Sequence, residues 1–70
     1  MIVSDPPTFG KAIRDRRKEL GYTQTYLSEV TGFSISFISD AERGKPTIEL
    51  GKILTLSNLL GLDCELTVRR

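Results

Sequence analysis

Histidine is absent from this 70-residue sequence, and cysteine occurs once, at Cys64. Without histidine the chain lacks the usual general base of enzymes and the commonest metal ligand. A single thiol excludes an internal disulfide and any metal site built from several thiolates of one chain. We therefore expect no enzymatic activity, no metal site and no cofactor.

Long apolar runs are missing as well. No stretch approaches the roughly 20 residues that a membrane-spanning helix needs, and residues 1–8 lack the charged and apolar segments of a signal peptide. One unpaired cysteine is also typical of proteins in a reducing compartment. These absences predict a cytoplasmic protein with no membrane partner.

A strong excess of charge is the third absence, because the net charge is only +1. Nucleic-acid-binding modules usually carry an obvious basic excess, so the total is weak evidence for such a partner. The basic residues are unevenly distributed, however. Two clusters contain seven of the ten, at Lys11, Arg14, Arg16, Arg17 and Lys18 and at Arg43 and Lys45. If the fold brings both clusters to one surface, they would form a phosphate-binding face.

Helix-start and helix-stop residues predict four helices. The predicted helices cover residues 7–20, 23–30, 34–43 and 47–60, with candidate N-caps at Asp5, Thr23, Ser34 and Thr47 and glycine after each. In the first three, apolar residues recur at helical spacing. The predicted inward positions are Phe9, Ala12, Ile13, Leu20, Tyr26, Leu27, Val30, Ile38 and Ala41.

The C-terminal third has more apolar residues than one core needs. Residues 48–60 contain seven Ile or Leu residues, which implies a second apolar face on the fourth helix. Residues 62–68 then alternate apolar and polar residues, with Leu62, Cys64, Leu66 and Val68 on one side, as a half-buried strand does. Because the chain offers no second strand, we expect this one to pair with its copy in a homodimer.

Residues 23–43 read as a helix, a tight glycine turn and a second helix. This geometry allows one helix to contact the DNA backbone while the next enters the major groove. The pattern alone is weak, since helical hairpins with glycine are often ordinary packing. The residues are more specific. Thr-Gln-Thr-Tyr-Leu-Ser from 23 to 28, Thr-Gly-Phe-Ser from 31 to 34 and Ala-Glu-Arg-Gly-Lys from 41 to 45 resemble the Xre/Cro family of phage and bacterial repressors.

The resemblance covers residues 9–60. It implies a mainly α, four-helix, lambda-repressor-like DNA-binding domain spanning residues 1–70, which as a homodimer represses transcription from an inverted-repeat operator, its own promoter included. Residues 60–68 add a likeness to HipB-type antitoxins, in which a closing strand pairs across the dimer and the protein restrains a HipA-like kinase toxin. The alternative function is therefore a protein-binding antitoxin or adaptor whose main activity is toxin neutralisation.

The resemblance also implies residue roles. Thr23, Gln24, Arg43 and Lys45 are expected to contact DNA phosphates. The residues expected to read bases are Ser34, Ile35, Ser36, Ser39 and Asp40. Arg17 and Glu42 are expected to form a structural ion pair. The third helix lacks the Arg or Gln side chains that select bases by two hydrogen bonds, so it is expected to discriminate weakly.

Several residues keep two interpretations. Asp40 either accepts a hydrogen bond from a cytosine amine or is a solvated or helix-capping carboxylate. Lys11, Arg14 and Lys18 form either a phosphate-binding face or an ordinary solvated one. Phe37 either packs in the core, which is the preferred interpretation, or lies against the sugar-phosphate backbone.

Overall fold

The computed structural model describes residues 2–69 and contains four α-helices. They are α1 (Pro6–Glu19), α2 (Gln24–Thr31), α3 (Ile35–Glu42) and α4 (Leu50–Leu59). Their number and order confirm the mainly α, four-helix prediction. None of the helices in this part of the chain is long and apolar enough to cross a bilayer.

Side-chain caps begin the first three helices where the sequence placed them. Asp5 accepts a hydrogen bond from Thr8 N at 2.9 Å, and this backbone bond is the main reason that the pKa of Asp5 lies below its ordinary value. Thr23 Oγ1 caps α2 by accepting from Tyr26 N, and Ser34 Oγ caps α3 by accepting from Phe37 N, each at 3.0 Å. Each cap satisfies a backbone donor that the first helical turn leaves unpaired.

The predicted start of the fourth helix is wrong. Helix α4 begins at Leu50, after an N-cap at Glu49 that makes no side-chain capping bond, rather than after Thr47. Residues 45–48 form a turn closed by a hydrogen bond from Ile48 N to Lys45 O at 3.2 Å. Thr47 lies inside this turn and is too early to cap the helix.

All four helices or their C-terminal caps contribute to one apolar core. It consists of Ile13, Leu27, Ile38, Ala41, Ile53, Leu56 and Leu60, with Phe37 among the partly buried residues packed around it. Two predicted inward positions of α2 are wrong, since Tyr26 and Val30 are 45% and 56% exposed. Helix α2 buries only Leu27, and Tyr26 packs against Tyr22 instead, with 4.8 Å between ring centroids.

Gly10 allows α1 to approach the end of α3 closely. A Cβ at this position would overlap the carbonyl oxygen of Ala41 and lie 2.7 Å from that of Glu42. Because these obstacles are backbone atoms, no side-chain rotation relieves them. The orientation of α3 relative to α1 therefore depends on a residue that has no side chain.

Arg16 joins the other end of α1 to the end of α4. Its Nε donates a hydrogen bond to Leu60 O at 2.8 Å, so this basic residue satisfies a terminal carbonyl of α4. Leu62 N then bonds to Ser57 O at 2.9 Å, which directs the chain away from the helix.

Residues 62–69, called the tail here, follow without regular secondary structure. Leu66 and Val68 are exposed, as are Leu50 and Leu59 of α4. Leu50 and Leu59 are the first and last residues of α4 and, at about 100° per residue, lie on opposite sides of the helix, so they do not form the one continuous second apolar face that was predicted. No strand occurs in residues 2–69 of this single chain, and the predicted strand at 62–68 is not confirmed.

Gly10→Ala is expected to destabilise the fold by about 1–3 kcal/mol, because α1 and α3 must separate to admit a methyl group. Gly51→Ala is the matched control, since a Cβ at exposed Gly51 meets nothing within 4 Å. Thermal and urea unfolding of both variants would measure the difference. Equal stability of the two variants would contradict the close-approach argument.

Candidate nucleic-acid interface

A short glycine turn fixes the angle between α2 and α3. Gly32 ends α2 in the left-handed conformation, with φ of 80°, which glycine adopts without strain. Ser28 Oγ donates to Phe33 O at 2.6 Å, and the rings of Phe33 and Phe37 pack with 4.9 Å between centroids. The turn is therefore held by hydrogen bonds and by aromatic packing.

One face of α3 points away from the core. Ile35 and Ser36 are exposed and Ser39 and Asp40 are half-buried, while Ile38 and Ala41 on the opposite side are buried. Ser34, also exposed, uses its hydroxyl oxygen to cap the helix. The structure thus places four of the five predicted base-reading residues along one accessible face, whereas Ser34 lies at the exposed start of the helix, one turn before the buried Ile38.

Arg17 and Glu42 link α1 to α3 through two hydrogen bonds. Arg17 Nε lies 2.6 Å from Glu42 Oε2, and Arg17 Nη2 lies 2.9 Å from Glu42 Oε1. The side chains are only 11% and 5% exposed. The hydrogen bond to Glu42 raises the pKa of Arg17, so its guanidinium stays charged. The geometry matches the pair that the sequence placed here.

The same ion pair reaches the second helix. Arg17 Nη1 donates to Tyr22 O at 2.8 Å, just before α2, and Gln24 Nε2 donates to Glu42 Oε1 at 3.2 Å. Gln24 was expected to contact phosphate, but its amide nitrogen already has a partner within the protein. The N-terminus of α2, like that of any α-helix, carries a partial positive charge that favours a nearby anion.

Asp40 has a role that neither interpretation of the sequence anticipated. One of its carboxylate oxygens accepts a hydrogen bond from Arg43 Nη2, and the other lies 3.5 Å from Lys45 Nζ. The two predicted phosphate-binding cations after α3 therefore share one acid. The three-residue spacing of Asp40 and Arg43 on a helix was the available signal.

The two basic clusters converge only in part. Arg14 of α1 and Arg43 line the same polar cleft, together with Arg17, Gln24, Ser39 and Glu42. Lys11 pairs with Asp15 at 2.6 Å, and Arg16 contacts the end of α4. Arg14 and Arg17 are thus the residues of the first cluster that line this cleft, and Arg17 is already paired with Glu42.

Comparison with known proteins identifies this arrangement. The family model described as helix-turn-helix matches residues 13–66. The chain belongs to the helix-turn-helix family of DNA-binding transcriptional regulators. A relative from Sinorhizobium fredii (strain NBRC 101917 / NGR234), the uncharacterised HTH-type transcriptional regulator y4mF, is 36% identical over 64 residues, which cover 91% of this chain and 84% of the relative.

The fold is also found in a solved structure, a HipB–O4 20mer complex. The likeness has a TM-score of 0.87 and covers 100% of this chain and 99% of that one, at 21% identity. At this identity the likeness shows a shared fold, consistent with the predicted HipB-like architecture.

Arg17→Ala is expected to destabilise this helix-turn-helix protein by roughly 3 kcal/mol, because Glu42 would be left buried without its cation. Arg14→Ala removes the same charge from an exposed position of the same helix and should leave the unfolding midpoint unchanged. Chemical denaturation of the two variants separates these outcomes. A loss in Arg17→Ala no larger than that in Arg14→Ala would show that the ion pair does not hold the helices.

Proposed function

We propose that this regulator is a homodimeric transcriptional repressor that binds an inverted-repeat operator, including one at its own promoter. The accessible face of α3 is the observation that carries the proposal. It is flanked by the N-terminus of α2 and by the cleft that Arg14 and Arg43 line. A helix with cationic and amide donors beside it fits a major groove about 12 Å wide, with a phosphate backbone at its edge.

The chemistry of α3 sets how this protein would read DNA. Serine hydroxyls bond to several base edges, and Ile35 can contact a thymine methyl group. Ser34 is partly committed to capping and Asp40 to its ion pairs, so Ser36 and Ser39 are the freest hydroxyls. We infer modest base discrimination, with further specificity from DNA shape and from half-site spacing.

A second copy of the chain would supply that spacing. Leu50 and Leu59 of α4 and Leu66 and Val68 of the tail expose apolar side chains to water, and burial against an equivalent surface would remove this cost. In residues 63–69, no backbone group hydrogen-bonds to another backbone group of the described chain. We propose that the apolar positions Leu62, Cys64, Leu66 and Val68 form a strand by pairing with the partner's tail.

A second candidate function is that of an antitoxin. It is supported by the fold likeness to HipB, which extends over the whole chain including the tail. The partner would then be a HipA-like kinase toxin encoded beside this gene. Co-expression with a kinase-like neighbour tests the idea, and a neighbour that fails to copurify would argue against it.

Selection of bound sites from random DNA tests the main proposal. The expected result is an inverted repeat whose half-sites lie about 34 Å apart, one turn of DNA. In the same experiment Ser36→Ala should change the preferred base at one position in each half-site, while the melting temperature stays that of the wild type. Failure to enrich any sequence would reject sequence-specific repression, and an unchanged preference in Ser36→Ala would reject base reading by Ser36.

Leu66→Asp is expected to convert the dimer to a monomer without unfolding it, since Leu66 is fully exposed in the single chain. Light scattering should change from about twice the 7.8 kDa chain mass to that mass itself. Thr67→Asp is the matched control, because residue 67 lies on the opposite side of a strand. A wild-type protein that is already monomeric at tens of micromolar would refute pairing of the tails.

A further inference from the structure

Asp40 contacts the two cationic side chains that follow α3, those of Arg43 and Lys45, and is less exposed than either. Its carboxylate bonds to Arg43 and approaches Lys45. The Asp40 side chain is 23% exposed, whereas those of Arg43 and Lys45 are 70% and 53% exposed. The carboxylate is thus the least exposed group of this cluster, and the two cations are the groups that approaching DNA would meet first.

A carboxylate that presents one oxygen to arginine and the other to lysine imitates a phosphodiester group. Both anions offer oxygen pairs to the same donors, and arginine binds carboxylate and phosphate through the same fork of N–H groups. In the free protein Asp40 therefore occupies the donors that a DNA phosphate needs. It also reduces the net charge of this cluster from +2 to +1, because one negative group faces two positive ones.

We propose that Asp40 competes with DNA phosphates for Arg43 and Lys45, and that it thereby lowers the affinity of this protein for DNA of any sequence. The inference rests on the proposed DNA-binding function and names a residue that sets its strength. Phosphate contacts supply nearly all of the binding to non-operator DNA. By weakening two phosphate contacts, Asp40 lowers the affinity for all DNA. Stable binding then depends more on base contacts and on the second half-site, which only an operator supplies.

This role differs from base reading, which the position of Asp40 on α3 also suggests. A carboxylate that accepts from a cytosine amine must point an unoccupied lone pair of an oxygen into the groove, and cations bound to both oxygens compete for those lone pairs. Here both oxygens face cations of the same chain. Base reading and competition also predict opposite effects for the same substitution.

Asp40→Asn tests the proposal with a short, fluorescently labelled duplex of mixed sequence and with the duplex obtained by site selection. The variant should bind both about 3- to 30-fold more tightly than the wild type at low salt, since two exposed ion pairs no longer oppose binding. The slope of log affinity against log salt should steepen by about one phosphate equivalent, and the two proteins should converge at high salt. Circular dichroism melting checks that the fold is retained.

Two controls isolate the mechanism. Glu29→Gln makes the same change in net charge at an exposed position of α2, and it should alter affinity by less than about twofold. Placing Asp40→Asn in a chain that also carries Arg43→Ala and Lys45→Ala should abolish the gain, because no released cation remains. A gain that persists there would mean that Asp40 acts by general charge repulsion, and would overturn the competitor role.

The remaining outcomes are distinct. Equal affinity of Asp40→Asn and wild type overturns the proposal, and so does a loss confined to the selected duplex, which would assign base reading to Asp40. If selection enriches no sequence yet Asp40→Asn gains affinity for the mixed duplex, repression fails and the competitor role stands. If the wild type binds a selected site and Asp40→Asn behaves identically, repression stands and the competitor role fails.

Discussion

The hydrogen-bonded pair of Arg17 and Glu42 connects the three helices that surround the candidate DNA interface. Its guanidinium comes from α1 and its carboxylate from the last residue of α3, and Tyr22 and Gln24 add contacts at the start of α2. A buried ion pair contributes little net stability, but removing one member leaves the other charge buried without its counter-ion. Its value here is geometric, because α1, α2 and α3 and the cleft between them are positioned by one shared set of atoms.

Local side-chain chemistry made most of the fold predictable. Thr23 and Ser34 cap their helices because a hydroxyl beside the first turn needs no distant partner, and Ile38 and Ala41 face inward because helical spacing aligns them. The prediction that Thr47 caps the fourth helix was wrong because Thr47 lies in a turn between Lys45 and Ile48, before the helix begins. Features that depend on distant contacts escaped local reasoning. Gly10 reads as a poor helix former until the carbonyl groups of Ala41 and Glu42 are placed against it.

The site residues divide in the same way. The resemblance paired Arg17 with Glu42, whose side chains are hydrogen-bonded in the structure, while it assigned Gln24 and Asp40 to DNA without regard to their neighbours. Both residues have protein partners in the free chain, Gln24 through Glu42 and Asp40 through Arg43 and Lys45. Residue type and position predict which groups would face DNA. They do not give the free energy needed to release those groups from existing partners, which depends on the folded geometry.

The bond from Arg16 to the carbonyl of Leu60 has a mechanical consequence. It joins the end of α4, where the tail begins, to the helix that also holds α3 through Arg17. In a dimer formed by the tails, this connection through Arg16 would hold each copy of α3 at a fixed position relative to the dimer interface. The distance between the two copies of α3 would then be fixed before DNA binds. An operator whose half-site spacing differs by one base pair would have to be twisted to fit.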